Sequence, residues 1–367
     1  MLIIDAHLDL SMNALQWNRN LLQSVYTIRT QEQFTAGKGR AAGTVAYPEM
    51  RRGRIFLGVA TLIARSTGRT VPHFDFATPL QAYGMAHGQL AYYRALEQAG
   101  HVCIISDNAA LDRHVAEWQA WDAAHSEETE QTPPLGFIIS MEGADPILHP
   151  EQLEAWWHAG LRLLGPTHYG PGRYAGGTAT ELGLTEIGPP LLREMERLGV
   201  VLDLTHLSDQ AFWQALEHYN GLVLASHNNC RALVPHQRQF SDEQLQAIFA
   251  RNGVIGVAFD AWMIQPGWVV GQTTNENVRI ANVVDHIDHI CQLAGNSSHA
   301  AIGTDLDGGY GREQSPCDLD TIADLQKLNG LLADRGYAAA DIEAILHGNW
   351  LRLFRDAWKK NGVMING

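Results

Sequence analysis

The sequence predicts an α/β fold, a closed (β/α)8 barrel of the TIM type, and two observations support this prediction. Short apolar runs alternate with amphipathic stretches, as expected when helices connect parallel strands. Eight such runs are visible, which favours a closed barrel over an open sheet. The polar segment "HSEETEQTPP" reads as a surface loop rather than a boundary, so residues 1–367 are expected to form a single domain with loop insertions at its active site.

The predicted strands are apolar runs bounded by polar or glycine-containing segments. They are "LIID" (2–5), "IFLGVATLIA" (55–64), "LGFIISM" (135–141), "GLRLLGPT" (160–167), "GVVLDLT" (199–205), "GLVLAS" (221–226), "NGVIGVAF" (252–259) and "AAIGTD" (300–305). A ninth run, "VCIIS" (102–106), is predicted as an extra hairpin strand that would shift the count by one.

The predicted helices are amphipathic stretches, several of which begin with Ser, Asp or Pro and stop at Gly, as helix start and stop signals do. They are "LQAYGMAHGQLAYYRALEQAG" (80–100), "PEQLEAWWHAG" (150–160), "IGPPLLREMERLG" (187–199), "SDQAFWQALEHYN" (208–220), "SDEQLQAIFARNG" (241–253) and "VRIANVVDHIDHICQLAG" (278–295).

The composition excludes several classes of protein. A hydrophobic content of 46% with 18% charged residues is ordinary for a globular protein with a large core. The net charge of −14 argues against nucleic-acid binding, which needs a basic face. No run spans a membrane and no signal peptide is visible, so a cytoplasmic location is expected. The scattered cysteines contain no Cys-x-x-Cys pair, which predicts free thiols rather than a zinc ribbon or disulfides.

Metal-capable side chains stand at the ends of six of the eight apolar runs. Because parallel strands of a barrel end at the same mouth, these side chains are expected to converge there. A single histidine after a strand is most simply a hydrogen-bonded structural residue, whereas six such endings together indicate a metal site. The residues are His7, Asp9, Glu142, His168, His206, His227 and Asp305.

The chemistry of this set points to catalysis. Carboxylates mixed with imidazoles, without a thiolate, favour Zn²⁺, Mn²⁺ or Fe²⁺ in a catalytic site. The ligands suffice for two ions with Glu142 as a bridge, and two ions holding a hydroxide between them provide a nucleophile and a Lewis acid. Four neighbouring residues are either groups that orient the imidazoles or caps of turns. They are Asp5, Asp203, Ser208 and Ser226.

Six segments, in this order, resemble the membrane (renal) dipeptidase family of the amidohydrolase superfamily. They are "DAHLDL", "SMEGAD", "GLRLLGPTH", "LDLTHLS", "ASHNN" and "IGTDLDG". The C-terminal "VVDHIDHICQLAG" and "GNWLRLFRDAW" are similar to the closing helices of that family, so the resemblance covers essentially the whole chain.

The resemblance implies a binuclear zinc site, although other divalent metals are compatible with it. His7 and Asp9 would hold one Zn²⁺, His206 and His227 the other, and Glu142 would bridge both.

The resemblance also implies roles in substrate binding and catalysis. His168 would contact the substrate carbonyl and stabilise its oxyanion. Asp305 would hold the bridging water, take its proton and pass it to the leaving amine, and it would also bind the ammonium group of the substrate. Arg238 would bind the free carboxylate of the substrate, with Arg231 as the nearby competitor.

The predicted function is therefore that of a binuclear-zinc dipeptidase. It would hydrolyse dipeptides with free amino and carboxyl ends, tolerate a D-residue at the second position, and form a possible homodimer. The alternative within enzymes is a hydrolase of an N-acyl amino acid, a lactone or a β-lactam. A non-catalytic binding protein that has kept the barrel is the third possibility. Trp262, Met263 and Trp268 follow a barrel strand and belong either to the substrate pocket or to the core.

Overall fold

A computed structural model describes residues 1–68, 74–124 and 132–359 of the chain. Nine strands form one sheet in which every pairing is parallel. The strands are β1 (Ile3–Leu8), β2 (Ile55–Ile63), β3 (Val102–Ile104), β4 (Leu135–Glu142), β5 (Leu161–Gly165), β6 (Val201–Asp203), β7 (Val223–Ala225), β8 (Val254–Val257) and β9 (Ala300–Ile302).

Helices surround this sheet and follow most of its strands. They are α1 (Leu10–Leu15), α2 (Val25–Gln31), α3 (Tyr47–Arg52), α4 (Pro79–Gln98), α5 (Asn108–Ala124), α6 (Leu153–His158), α7 (Gly188–Leu198), α8 (Asp209–His218), α9 (Asp242–Ala250), α10 (Ala261–Ile264), α11 (Ile280–Ala294), α12 (Lys327–Asp334), α13 (Ala339–Glu343) and α14 (Asn349–Trp358). Among the described residues, no helix is both long enough and apolar enough to cross a membrane.

The predicted barrel is confirmed. Eight strands follow one another in the order β1-β2-β4-β5-β6-β7-β8-β9 and form a nearly closed barrel. Every residue of β1, β2 and β4 is buried, as expected for parallel strands that are covered on both faces. The ends of the barrel meet through Asp5 of β1, whose carboxylate accepts hydrogen bonds from Thr304 N (2.9 Å) and Thr304 Oγ1 (2.6 Å) just after β9.

The ninth apolar run was predicted as a hairpin strand, and this prediction is wrong. β3 pairs in parallel with the first residues of β4, Val102 opposite Leu135 and Ile104 opposite Phe137. β5 pairs with the later residues of the same strand. Because β4 residues 136 and 137 also pair with β2, β3 must lie on the edge of β4 that β5 occupies further along. The connection through α5 makes this a parallel crossover rather than a hairpin.

All six predicted helices are present, whereas α5 was not predicted. Its buried residues Leu111, His114, Val115, Trp118 and Trp121 recur at spacings of three or four, so the helical period was visible in the sequence. Two of these five are tryptophans and one is a histidine, which weakens the contrast between the apolar and polar faces of the helix.

Two glycines allow the strands that support the site to approach one another. A Cβ atom at Gly256 of β8, or at Gly303 directly after β9, would overlap the carbonyl oxygen of Ser226. Ser226 directly precedes His227, one of the predicted ligands. Because these two positions carry no side chain, β8 and the segment after β9 can lie close to Ser226 and so help to position His227.

Candidate metal centre

The structure brings the predicted ligands together around one oxygen of Glu142, the last residue of β4. Glu142 Oε1 lies 3.1 Å from His206 Nε2, 3.4 Å from His227 Nε2 and 3.5 Å from His7 Nε2. His168 Nε2 is slightly further away, at 3.8 Å. All four imidazoles therefore point a nitrogen at the same carboxylate, as their positions at the strand ends predicted.

The ligand atoms separate into groups of three that are compact enough to hold an ion. His7, Asp9 and Glu142 form one group, and Glu142, His206 and His227 form another, each with its ligand atoms within 4.8 Å of one another. Glu142 belongs to both groups, which is the geometry that a bridging carboxylate needs. A third group joins His7, His227 and Asp305.

The polar atoms of this cluster fit divalent cations better than they fit one another. Within the described part of the chain, the buried atoms His7 Nε2 and Glu142 Oε1 have no hydrogen-bond partner. The Nε2 atoms of His206 and His227 face each other at only 3.0 Å. Orphaned acceptors and converging imidazole nitrogens in a buried pocket are what a ligand set presents to a metal ion.

The electrostatics around His7 and Asp305 indicate a surplus of negative charge on that side of the cluster. Burial lowers the pKa of His7, but the carboxylates of Glu142, Asp9 and Asp305 outweigh burial and raise that pKa to about 10. Burial raises the pKa of Asp305 well above its usual range, and the neighbouring carboxylates add to this rise. Divalent ions would supply the missing positive charge.

The proton positions suit metal binding through Nε2 at two of the histidines. Thr178 Oγ1 lies 3.0 Å from His206 Nδ1, and Ser226 Oγ lies 2.9 Å from His227 Nδ1. Thr178 also donates to the His206 carbonyl (3.3 Å), so its oxygen is left to accept the Nδ1–H. A proton on Nδ1 leaves the Nε2 lone pair free for a cation.

The four predicted supporting residues have different roles. Ser226 contacts imidazoles, since its Oγ is also 3.3 Å from His7 Nδ1. Asp5 and Asp203 accept only from hydroxyl or backbone groups, including His7 N (3.2 Å) and Ser226 N (3.0 Å). Ser208 is the N-cap of α8 and accepts from Ala211 N. Of the two alternatives, Ser208 is therefore the turn cap.

Two further residues that the sequence did not single out fix the orientation of site residues. Thr61 of β2 donates a short hydrogen bond to Asp9 Oδ1. Arg65, two residues beyond β2, places its Nη1 3.1 Å from His168 Nδ1. A guanidinium can only donate, so His168 Nδ1 must accept and its proton must lie on Nε2. His168 therefore presents an N–H to the cluster rather than a lone pair.

Backbone strain accompanies two of the predicted residues. His206 and Asp305 have φ values of +69° and +58°, in the left-handed region that side chains other than glycine seldom adopt. Such conformations cost on the order of 1 kcal/mol or more each and persist where the surroundings hold them in place. They occur here after two of the strands whose ends direct side chains to the cluster.

The two candidate arginines differ in their surroundings. Arg231 is partly exposed and pairs with Asp209 at 2.7 Å. Arg238 is buried in the pocket wall, where Nη2 donates to His227 O (2.8 Å) and Nη1 donates to Asn228 Oδ1. It forms no ion pair with a described carboxylate. Three of its five N–H groups therefore have no protein partner among the described residues.

The cluster opens into a small cavity of about 90 Å³. Asp9, Glu142, His168, His206, Arg238 and Asp305 contribute its polar lining, together with Asp260, which the sequence had not indicated as a site residue. Trp262 and Met263 line it, which favours the pocket alternative for these two, whereas Trp268 packs against the core. The other apolar walls come from Met12, Ile63, Phe74 and Tyr169.

Comparisons with known proteins identify the family of this chain. The profile of the family described as membrane dipeptidase (peptidase family M19) matches residues 1–363. An uncharacterized protein in the pqqA 5′ region of Klebsiella pneumoniae is 30% identical over 248 residues, which are 65% of this chain and 88% of that protein. Dipeptidase tcpJ of Claviceps purpurea is 30% identical over 177 residues, but the match spans only 38% of that relative and 47% of this chain.

A solved structure shares the whole fold. The metallopeptidase of Rhodobacter sphaeroides, liganded with a phosphinate mimic of the dipeptide L-Ala-D-Ala, superposes with a TM-score of 0.77. It is 22% identical, and the superposition covers 98% of this chain and 99% of that one. At this level of identity the likeness establishes the common barrel.

Proposed function

Because the chain belongs to the membrane dipeptidase family, peptidase family M19, we propose that it is a binuclear-zinc dipeptidase. Its substrates are dipeptides with a free amino end and a free carboxyl end. The observation that carries the proposal is Arg238, a buried guanidinium without a carboxylate partner among the described residues, in the wall of the cavity that holds the candidate ligands. A free substrate carboxylate next to the scissile bond gives this charge a partner.

Five residues would hold two Zn²⁺ ions in this proposal. His7 and Asp9 would bind one ion, His206 and His227 the other, and Glu142 would bridge them, as its membership of two ligand groups supports. When bound, the ions would supply a nucleophile at neutral pH and polarise the scissile carbonyl. The imidazole–carboxylate composition of the set supports zinc, and other divalent ions of similar preference fit the same groups.

In the same proposal, the remaining residues of the pocket bind the substrate, stabilise the oxyanion and transfer the proton. Arg238 binds and orients the substrate carboxylate. His168 donates its Nε2–H to the carbonyl oxygen as negative charge develops there. Asp305 takes the proton of the attacking water and delivers it to the leaving nitrogen. The apolar walls exclude water and so strengthen each of these contacts.

Tolerance of a D-residue at the second position is supported by a relative. The Rhodobacter sphaeroides metallopeptidase, which has the same fold, was solved with a mimic of L-Ala-D-Ala. We extend this to the present chain as a proposal. The cytoplasmic location, the homodimer and the single-domain organisation of residues 1–367 stay predictions from the sequence.

A substrate panel tests the proposed function. The metal-reconstituted protein is assayed with L,L- and L,D-dipeptides, N-acetylated dipeptides, dipeptide amides and lactones. The proposed enzyme should hydrolyse only the dipeptides whose two ends are both free. Preferred hydrolysis of N-acyl compounds or lactones would instead support the alternative hydrolase.

Replacing Glu142 with Gln should weaken both metal sites together. The amide has one neutral oxygen in place of two charged ones, so it can neither neutralise nor bridge two cations. Metal content after dialysis, measured by mass spectrometry, should fall from two ions towards none. Retention of one ion per chain would show that Glu142 serves a single site.

Replacing Arg65 with Met should lower kcat roughly 10- to 100-fold and leave KM almost unchanged, because a lost oxyanion donor costs about 10²–10³ and His168 itself remains. Without the guanidinium, His168 is free to carry its proton on Nδ1, where it cannot donate to the substrate. Arg65→Lys, which keeps a donor, is the matched variant and should retain more activity. An increase in KM alone would place Arg65 in binding rather than in orienting His168.

A further inference from the structure

Asp260 is a buried carboxylate in the cavity wall that the proposed mechanism does not use. It follows β8, forms the N-cap of α10, and is 5% exposed. It belongs to none of the described groups that could hold a metal ion. It nevertheless lines the same cavity as Arg238 and Asp305.

The contacts of Asp260 leave its charge without a counterion. Its Oδ1 accepts from Gln314 Nε2 (2.7 Å) and from Trp262 N (3.3 Å), so Oδ2 is the oxygen mainly left for a ligand. Asp260 forms no ion pair within 4.0 Å in the described part of the chain. Burial raises its pKa to about 7, although the hydrogen bonds of Gln314 and Trp262 and the charge of Lys38 oppose this rise. A buried, unpaired carboxylate is costly, and an arriving cation would remove that cost.

The other charges of the cavity indicate which cation Asp260 would bind. Asp9, Glu142 and Asp305 all belong to groups that could hold metal ions, which would neutralise them. Two wall charges then remain, the cation of Arg238 and the anion of Asp260. A dipeptide with free ends carries the complementary pair, a carboxylate and an ammonium.

The positions of the two charges agree with a dipeptide lying along the rim. Arg238 comes from the loop after β7, Asp260 follows β8, and Asp305 follows β9. The charge of Asp260 acts on Asp305, which is the residue expected to face the leaving nitrogen and the substrate backbone. Asp260 therefore lies within electrostatic reach of Asp305 and lines the same cavity as the carboxylate-binding arginine.

We propose that Asp260 binds the α-ammonium group of the substrate and thereby makes the free amino end a requirement. This inference rests on the proposed dipeptidase function. This differs from the expectation that Asp305 binds the ammonium: Asp260 pairs with that charge instead, and Asp305 carries out proton transfer. Asp260 acts as a specificity-determining residue and not as a catalytic acid or base.

Asp260→Asn tests this role with little disturbance of the fold. Asn keeps an oxygen that can accept from Gln314 and Trp262, and it is as good an N-cap as Asp, so mainly the charge is lost. Two substrates are compared, L-Ala-D-Ala and N-isobutyryl-D-Ala, in which a methyl group replaces the ammonium. The wild-type protein should prefer the dipeptide strongly in kcat/KM. In the variant, kcat/KM for the dipeptide should fall at least about 30-fold, mostly through a higher KM. This is the lower end of the range for truncating one partner of a buried charge pair.

Controls separate charge recognition from a structural effect. The loss on N-isobutyryl-D-Ala should be much smaller than the loss on the dipeptide, and Asp260→Glu should restore part of the discrimination. Gln314→Met removes one hydrogen bond of Asp260 but keeps its charge, so it should not reproduce the selective loss. Equal losses on both substrates, no loss on either, or the same selective loss in Gln314→Met would overturn the proposal.

Two further results are decisive. If Asp260→Asn removes only a preference for N-terminal Lys over norleucine, the carboxylate serves a side chain and the proposal is wrong. If the wild-type protein hydrolyses no dipeptide, the proposed function fails. Calorimetric binding of L-Ala-D-Ala still tests Asp260 in that case, since Asp260→Asn should weaken binding by the same factor.

Discussion

Asp305→Asn should lower the turnover of a dipeptide by roughly two to four orders of magnitude, the range for a lost general acid/base. Asp305 lines the cavity and its Oδ1 lies 3.8 Å from His7 Nε2, inside the ligand cluster. Asn has almost the same shape and tolerates the left-handed backbone at this position, where φ is +58°. The amide cannot accept and return a proton, so the chemical step is the one that suffers.

The measurement pairs kcat with metal content, because Asp305 also belongs to a possible ligand group with His7 and His227. Asp307→Asn is the matched control. Asp307 is buried two residues away, also has a positive φ, and accepts from Thr44 Oγ1 (2.7 Å) and Val45 N (3.0 Å). Its replacement should reduce thermal stability much more than kcat. If metal content collapses with activity in Asp305→Asn, Asp305 is chiefly a ligand.

The barrel and the ligand cluster were predictable because both depend on local sequence signals. Buried parallel strands appear as short apolar runs, and the ligands lie in or within three residues of the strand ends. His227 follows β7 by two residues, and His206 follows β6 by three. Once the strands are parallel and the barrel nearly closes, these side chains have one mouth at which to meet.

The residues that orient this cluster were not predictable, because their partners are distant in the chain. Arg65 reaches His168 across 103 positions, and Thr178 reaches His206 across 28. Nothing in the sequence around Arg65 or Thr178 indicates an imidazole as partner. Asp260 was not predicted for another reason, since an aspartate directly before a helix is already explained as its N-cap. Only its place in the cavity wall and its missing counterion set it apart.

Asp5 and Ser226 show the limit of reading roles from proximity in sequence. Both were expected either to orient imidazoles or to cap turns. Ser226 contacts two imidazoles, whereas Asp5 bonds backbone and hydroxyl groups and joins the last strand end to the first. The role of each residue depends on the direction in which its side chain points from the strand. That direction is set by the register of the strand against its neighbours.

Arg238→Ala should cost a true dipeptide on the order of 2–5 kcal/mol in kcat/KM, the range for truncating one partner of a buried charge pair. A guanidinium–carboxylate contact in a partly dry pocket is strong and geometrically selective. A dipeptide amide, which has lost the negative charge, should therefore be a very poor substrate of the wild-type protein. The same mutation should cost an uncharged ester or lactone little.

The comparison between charged and uncharged substrates is needed because Arg238 also has a structural role. It donates to His227 O (2.8 Å) and to Asn228, so its removal can disturb a candidate metal ligand. Metal content is measured alongside, with Arg238→Lys to keep the charge and Arg231→Ala to remove a nearby arginine that pairs with Asp209 at 2.7 Å. Disturbance of His227 would reduce all substrates equally, whereas loss of carboxylate recognition reduces only the charged ones. Equal losses would make Arg238 structural, and the requirement for a free carboxyl end would then need another residue.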